Sequence, residues 1–294
     1  MIKIKVPATT ANMGAGFDCV GMALNMYNYL SANESDYFSI DITGDAHGIL
    51  ATKDNLIYQA VLRLYAEIGK PAPNLHLASH NNIPIARGLG SSAACVVAGL
   101  MAANELAGKP LPKSELARLA CEMEGHPDNT TPAIFGGMVV SAMDGGRLYY
   151  SQIFPVSSLS FAALIPNFKV KTEDARGVLP NNYSAADAIF NISRAALFVA
   201  SMENGDVDNL RAAVKDKIHQ PYRAKLIPYA DKIFDMAENL GAYGVFISGS
   251  GSTIIAIIDK AHEQQFQTGM LSDEWEVHIL QPDLFGARID TEGE

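Results

Sequence analysis

The stretch from Pro84 to Ala94 reads P-I-A-R-G-L-G-S-S-A-A and constrains the fold more than any other part of the chain. Strand-like Leu75 and Leu77 come before it. A helical run rich in Ala and Gly, Ser91 to Ala107, follows and is stopped by Gly108 and Pro110. Gly88 and Gly90 can take backbone torsions that other residues avoid, so N–H groups can point outward where the helix begins. Together with the partial positive charge of a helix start they make an anion site that needs no lysine. Ser91 and Ser92 add hydroxyls for phosphate oxygens or a magnesium ion. The Walker pattern G-x-x-x-x-G-K-[ST] is absent.

Alone, the segment fits other patterns too. Gly88-x-Gly90-x-x-Ala93 matches a dinucleotide fingerprint, but that turn follows its strand directly and is later joined by a ribose-binding acid, whereas N-N-I-P-I-A-R intervenes here. Gly90-x-Ser92-x-Ala94 resembles a nucleophile elbow, which needs a later acid and histidine; His219, His262 and His278 sit in contexts that single none of them out. A helix start used only for tight packing is the plain alternative.

A formal net charge of -10 argues against a nucleic-acid partner, since such proteins displace counterions with an excess of Lys and Arg. Any phosphate must therefore be held locally. Cys19, Cys95 and Cys121 are far apart and odd in number, which suggests neither a disulfide framework nor a zinc site and fits a reducing cytoplasm. No cationic leader and no apolar run of about 18 residues is evident, so a membrane is not expected. His76 and His80 lie in L-H-L-A-S-H, whose alternation is that of a strand and would not hold both on a ligand arc.

Along the first half the order is strand (to Val6), glycine-rich turn, strand (Tyr37 to Thr43) and helix (Asn55 to Ile68). A short strand and the helix from Ser91 follow, then a third helix from Ser114 to Glu124. G-H-P-D-N-T-T-P leads on to a hairpin, Met138 to Ala142 with Leu148 to Ile153, across D-G-G. From Ser160 the order restarts: strand, helices up to Leu240, strand, glycine turn S-G-S-G-S-T, strand, helix and strand. This is α+β texture with a boundary near 155. N-M-G-A-G-F-D, from Asn12 to Asp18, sets an amide and a carboxylate around two glycines, which suits a polar substrate carrying an amine.

Read jointly with E-G-H-P-D-N, T-E-D-A-R-G-V-L-P and H-Q-P-Y-R, these stretches make the chain resemble the GHMP kinase family over nearly its whole length. The resemblance implies an α+β, two-domain GHMP kinase fold. Residues 1–155 would form the N-terminal ATP-binding domain, resembling a ribosomal-protein domain with a left-handed β-α-β crossover; residues 156–294 would form a ferredoxin-like α/β sandwich. It also implies ATP and Mg²⁺, a homodimer, and phosphorylation of the side-chain hydroxyl of L-homoserine to O-phospho-L-homoserine on the route to threonine.

Carried over by position, Pro84, Ile85, Ala86, Arg87, Gly88, Leu89, Gly90, Ser91, Ser92, Ala93 and Ala94 would wrap the nucleotide phosphates, with Ser91 or Ser92 reaching the metal. Glu122 is the expected metal carboxylate, with Glu124 second. Asn12 and Asp18 suit the amino end of the substrate, and Asn129 and Gly249 would touch it. Arg176 and Arg223 suit its carboxylate, which a guanidinium grips with two parallel hydrogen bonds. Asp18, Asn129 and Arg176 are the residues expected to serve catalysis. The position of the base aspartate found in related kinases reads Asn129, with Asp128 beside it, so the expectation is catalysis by alignment and charge neutralisation. Ser252 stands where the family more often has proline.

Overall fold

The computed structural model describes residues 1–46 and 48–290. Two antiparallel strands, β1 (Ile2–Ala11) and β2 (Val20–Glu34), begin it, paired from Ile2 opposite Ala32 to Ala11 opposite Gly21. The long β2 was not expected from sequence. Val20 to Leu24 are buried on both faces, and only beyond Asn28 does alternate burial set in, so the period-2 signal of a half-buried strand is missing where it would be sought.

β3 (Ser39–Gly44) and β4 (Leu75–Asn81) are parallel neighbours joined through helix α1 (Leu56–Glu67), and β4 runs antiparallel to β2. The Asn55 side chain accepts the N–H of Ile57 and so satisfies one of the free donors that start α1. Three helices follow, α2 (Ser91–Leu106), α3 (Lys113–Glu124) and α4 (Pro127–Phe135), and then the hairpin of β5 (Met138–Asp144) and β6 (Arg147–Ile153). Gly145 and Gly146 both have positive φ, the torsions that a tight two-residue hairpin turn demands.

α4 forms over G-H-P-D-N-T-T-P, a stretch where no element was expected from sequence. Proline is favourable at a first helical position, where its missing N–H would be unpaired in any case, and Asp128 lies in the first turn. Pro132 inside the same helix conceals the signal.

The chain changes sheet between Ile153 and Leu159. β7 (Leu159–Pro166) is followed by helices α5 (Thr172–Gly177), α6 (Ala185–Asn204), α7 (Leu210–Ala213), α8 (Gln220–Arg223) and α9 (Ala230–Asn239). Then come β8 (Gly244–Ile247), β9 (Ile254–Asp259), α10 (Glu263–Gly269) and β10 (Trp275–Leu280). The strand order β10-β7-β9-β8, antiparallel throughout, is the ferredoxin-like order, with several short helices after its first strand. A last strand, β11 (Arg288–Ile289), returns to the first sheet and pairs with β1.

One apolar core runs through both halves, from Ile4 and Leu64 to Phe161, Phe198 and Phe246; a second lies on the other face of the second sheet, around Ile233, Phe266 and Trp275. α6 is apolar over a longer run than was expected from sequence. By length and composition it could cross a bilayer, with a mean hydropathy of 1.2 over its best window. Its Phe198 and Met202 belong to the shared core, and its Asn191 bonds to Asp216 and Lys217, as in a helix packed against protein.

The small residues of α2 serve close approach. A Cβ on Gly99 would lie 2.2 Å from the carbonyl oxygen of Ile57 in α1, so the two helices touch backbone to backbone. Gly99→Ala is expected to destabilise the fold by about 1–3 kcal/mol through overpacking, measured by urea denaturation; an unchanged midpoint would contradict this packing.

Candidate active site

Three glycine turns meet at one place and are joined mostly through backbone atoms. Ser248 Oγ donates to the Gly88 carbonyl at 2.6 Å, and the N–H of Thr253 donates to Arg87 O at 3.0 Å. The N–H of Gly249 donates to Ala11 O at 2.9 Å, and that of Thr9 to Leu89 O at 3.1 Å. A Cβ on Gly88 would lie 2.2 Å from Ser248 O. The S-G-S-G-S-T turn is thus more than a hairpin connection, because it walls one side of the Gly88 turn. Arg87 turns to the carbonyls of Pro166 and Phe168 at the end of β7, and Ser252 Oγ donates to the same Phe168 carbonyl at 2.7 Å.

A cavity of about 590 Å³ opens over these turns. Pro84 to Ser92 line it, as do Asn12, Asp18, Asn129, Arg176, Arg223 and Gly249. Ala93 and Ala94 are buried in the first turn of α2. Gly90 caps that helix with φ 71°, leaving the first N–H groups of α2 and its positive dipole end directed at the cavity.

Glu122 does not reach this site. Its carboxylate accepts from Arg63 and Arg118 in a surface network with Glu67. Glu124 lines the cavity instead, its Oε1 accepting from Ser92 Oγ at 2.7 Å. Residues two apart on a helix point to different faces, so only one of these acids can face α2. Burial pushes the Glu124 carboxyl up, an effect that the Ser92 hydrogen bond partly offsets.

Asp18 and Arg176 hold each other by two bonds, 3.1 and 2.8 Å, and the Asp18 N–H donates to Asn12 Oδ1 at 2.8 Å. Arg223 on α8 is 1% exposed; it donates to the carbonyls of Gly249 and Ala175, at 2.8 and 3.3 Å. Burial first, and the neighbouring charge of Arg176 second, bring its pKa down to about 10. Phe17 lies beneath both guanidinium groups, at 5.8 Å from Arg176 and 5.0 Å from Arg223. Asn129 on α4 accepts from Thr9 Oγ1 at 2.8 Å, directly under Gly90, where a Cβ would lie 1.9 Å from that hydroxyl.

Three further side chains complete the surroundings; of these only Asp128, beside the expected base position, was singled out from sequence. His126 Nδ1 bonds to Asp128 Oδ1 at 2.6 Å, a contact that raises the imidazole pKa against the opposing effect of its burial. Asp128 is fully buried, and one ligand atom from each of Asp18, His126 and Asp128 lies within 4.8 Å of the others. His219, also fully buried, donates from Nε2 to Gly14 O at 2.8 Å and stacks on Phe17; burial pushes its pKa down and keeps it neutral. The motifs E-G-H-P-D-N and H-Q-P-Y-R carry all three, but a sequence does not say which of their polar residues turn inward.

The model of the GHMP kinases N terminal domain matches residues 55–137, and that of the GHMP kinases C terminal matches residues 198–276. A homoserine kinase of Clostridium novyi is 44% identical, over 98% of this chain and 99% of its own. One from Caldicellulosiruptor saccharolyticus is 42% identical, over 98% and 96%. The chain belongs to the homoserine kinases of the GHMP kinase family. The crystal structure of a homoserine kinase from Cytophaga hutchinsonii matches with a TM-score of 0.88 at 28% identity, over 98% of this chain and 97% of that one. The mevalonate kinase of Methanococcus jannaschii, with a TM-score of 0.74 at 15% identity over 95% and 98%, shares the fold.

In a homoserine kinase built in this way, Thr9 should fix the Asn129 amide. Thr9→Val is expected to lower kcat/KM by roughly 10- to 100-fold, the size of effect that misplacing a positioned group produces. Steady-state kinetics beside a thermal melt would check this, and unchanged kinetics would refute it.

Proposed function

We propose that the protein transfers the γ-phosphoryl group of ATP to the side-chain hydroxyl of L-homoserine, giving O-phospho-L-homoserine and ADP. The observation that carries the acceptor is the charge arrangement in the cavity. Arg223 is a buried cation and, among the described residues, has no carboxylate within ion-pair distance; that state is costly unless an anion arrives. Beside it the Asp18–Arg176 pair, 33% and 41% exposed, is wet enough to contribute little by itself. A zwitterionic amino acid fits this set: its carboxylate takes the two guanidinium groups, its ammonium takes Asp18, and each charge of the opened pair finds a new partner.

Asn12 orients Asp18 through the backbone, and Asn129, held by Thr9, faces the side-chain hydroxyl of the acceptor. Gly88, Gly90 and the N–H groups that open α2 bind the phosphates, and the hydroxyls of Ser91 and Ser92 add donors there. Ser92 and Glu124 present adjoining hard oxygens beside this loop, with Glu124 poorly solvated, which suits Mg²⁺. Mg²⁺, when bound, neutralises charge on the phosphate oxygens. Glu124→Gln is therefore expected to raise the Mg²⁺ concentration needed for half-maximal rate by about 10-fold or more, and Glu122→Gln to leave it unchanged. The opposite pattern in a magnesium titration would reassign the ligand.

No base is assigned. An amide cannot accept the hydroxyl proton, and Asp128 is already engaged with His126 in the interior. Phosphoryl transfer through a loose transition state asks chiefly for alignment and charge neutralisation. Asp18→Asn and Asp128→Asn should thus keep turnover at saturating acceptor within about 10-fold of wild type, whereas a true general base contributes about 10²–10⁴-fold. The acceptor itself is tested by ADP release with L-homoserine, L-serine, L-threonine and mevalonate side by side; turnover of mevalonate and not of L-homoserine would reverse the assignment.

A further inference from the structure

The segment after β10 contributes nothing to the cavity, yet it grips the far end of the helix that carries Asp128 and Asn129. Asp283, 4% exposed, is its anchor. Oδ1 accepts the N–H groups of Phe285 and Gly286, at 2.9 and 2.7 Å; Oδ2 accepts Tyr27 OH and Arg288 Nη1, at 2.8 and 2.9 Å. Its own N–H donates to Ala23 O on β2 at 3.0 Å, and its carbonyl accepts the N–H of Gly137, just past α4, at 2.7 Å. A carboxylate with both oxygens doubly bonded, and with both backbone groups bonded to other elements, is fully committed to fixing one loop.

That loop lies on the C-terminal end of α4. The N–H of Ala287 donates to Ala133 O at 2.7 Å, one of the carbonyls that a helix end leaves unpaired. A Cβ on Gly286 would lie 2.3 Å from Ile134 O, so backbone rests on backbone there. Beyond the loop, β11 pairs with β1 at Ile4 and Lys5, the strand that carries Thr9, the partner of Asn129. The tail therefore touches both elements that determine where the Asn129 amide sits. α4 is a rod of nine residues, about 13 Å long, so an axial displacement at one end is delivered at the other.

We propose that Asp283 is a positioning residue for phosphoryl transfer. By folding the 283–287 loop onto the end of α4, it fixes the axial position of that helix and so the placement of Asn129 at the acceptor. The proposal rests on the acceptor assignment above. It predicts an effect centred on the acceptor side, because the loop bonds directly to the end of α4 and to β2, whereas the nucleotide side is built on α2 and the Gly88 turn. Asp283→Asn keeps an amide oxygen for the two backbone N–H groups and should be milder than Asp283→Ala.

The experiment compares wild type, Asp283→Ala, Asp283→Asn, Gly286→Ala and Gly241→Ala in steady-state kinetics well below their melting temperatures. Gly241 also has a positive φ, 90°, but a Cβ there meets nothing within 4 Å, so it controls for backbone strain alone. Wild type is assayed first. If it does not turn over L-homoserine, the acceptor assignment fails by itself and the comparison proceeds with the acceptor it does use. The expected result is an acceptor KM raised about 10-fold or more in Asp283→Ala and Gly286→Ala, less in Asp283→Asn and not in Gly241→Ala, with KM for ATP within about twofold of wild type. An unchanged acceptor KM in either folded variant, or equal rises in both KM values tracking the loss of Tm, would overturn the proposal. Should Asp283→Ala not fold, Asp283→Asn and Gly286→Ala decide by the same criterion.

Discussion

The site depends on backbone meeting backbone between its glycine turns. Where Gly88 lies against the Ser248 carbonyl, and Gly90 over the Thr9–Asn129 bond, no side chain fits, and peptide groups from distant parts of the chain bond to each other, as Thr9 to Leu89 and Thr253 to Arg87. A phosphate loop without lysine needs that closeness, because its positive character comes from N–H dipoles that act only over short range. The rigid turns also explain how a chain of net charge -10 can hold an anionic nucleotide. Attraction is generated locally, by N–H dipoles at short range, not by the field of the whole molecule.

Much of this arrangement was legible in the residues. The turn-forming glycines, the helix after Gly90, the helix stops and the hairpin at Gly145–Gly146 all follow from local stereochemistry, which short windows of sequence contain. β2 and α4 were not legible, for opposite reasons. β2 is buried on both faces over its first part and shows no alternation, and α4 carries an internal proline that argues against a helix. The α3 acids illustrate a third limit. Both Glu122 and Glu124 sit near a helix end, and only the helix phase against α2 and the competing arginines Arg63 and Arg118 determine which of them turns to Ser92.

The charges of the acceptor side follow one logic. Arg223 is kept from solvent with carbonyls as its partners, His219 is kept neutral by burial, and Phe17 lies under both guanidinium groups. In the proposed acceptor site, the buried Arg223 lies near the half-exposed Arg176, and like charges placed close together repel until an anion joins them. On the proposed reading, selectivity for an acceptor with a carboxylate comes as much from the cost of leaving the buried Arg223 unmatched as from the bonds formed.

The pairing of β11 with β1 also bears on the order in which the molecule assembles. Ile4 meets Ile289, so this contact closes nearly the whole chain into a loop. Loop-closure entropy grows with the length enclosed, which places such a pairing late in folding. α1 and α2 draw on nearer partners, packing on each other backbone to backbone at Gly99. During synthesis the helices of the first half can therefore pack early, while the Gly88 turn must wait for the 248–253 turn that walls it, and the helix bearing Asn129 receives its final buttress only once the residues around 289 have been made.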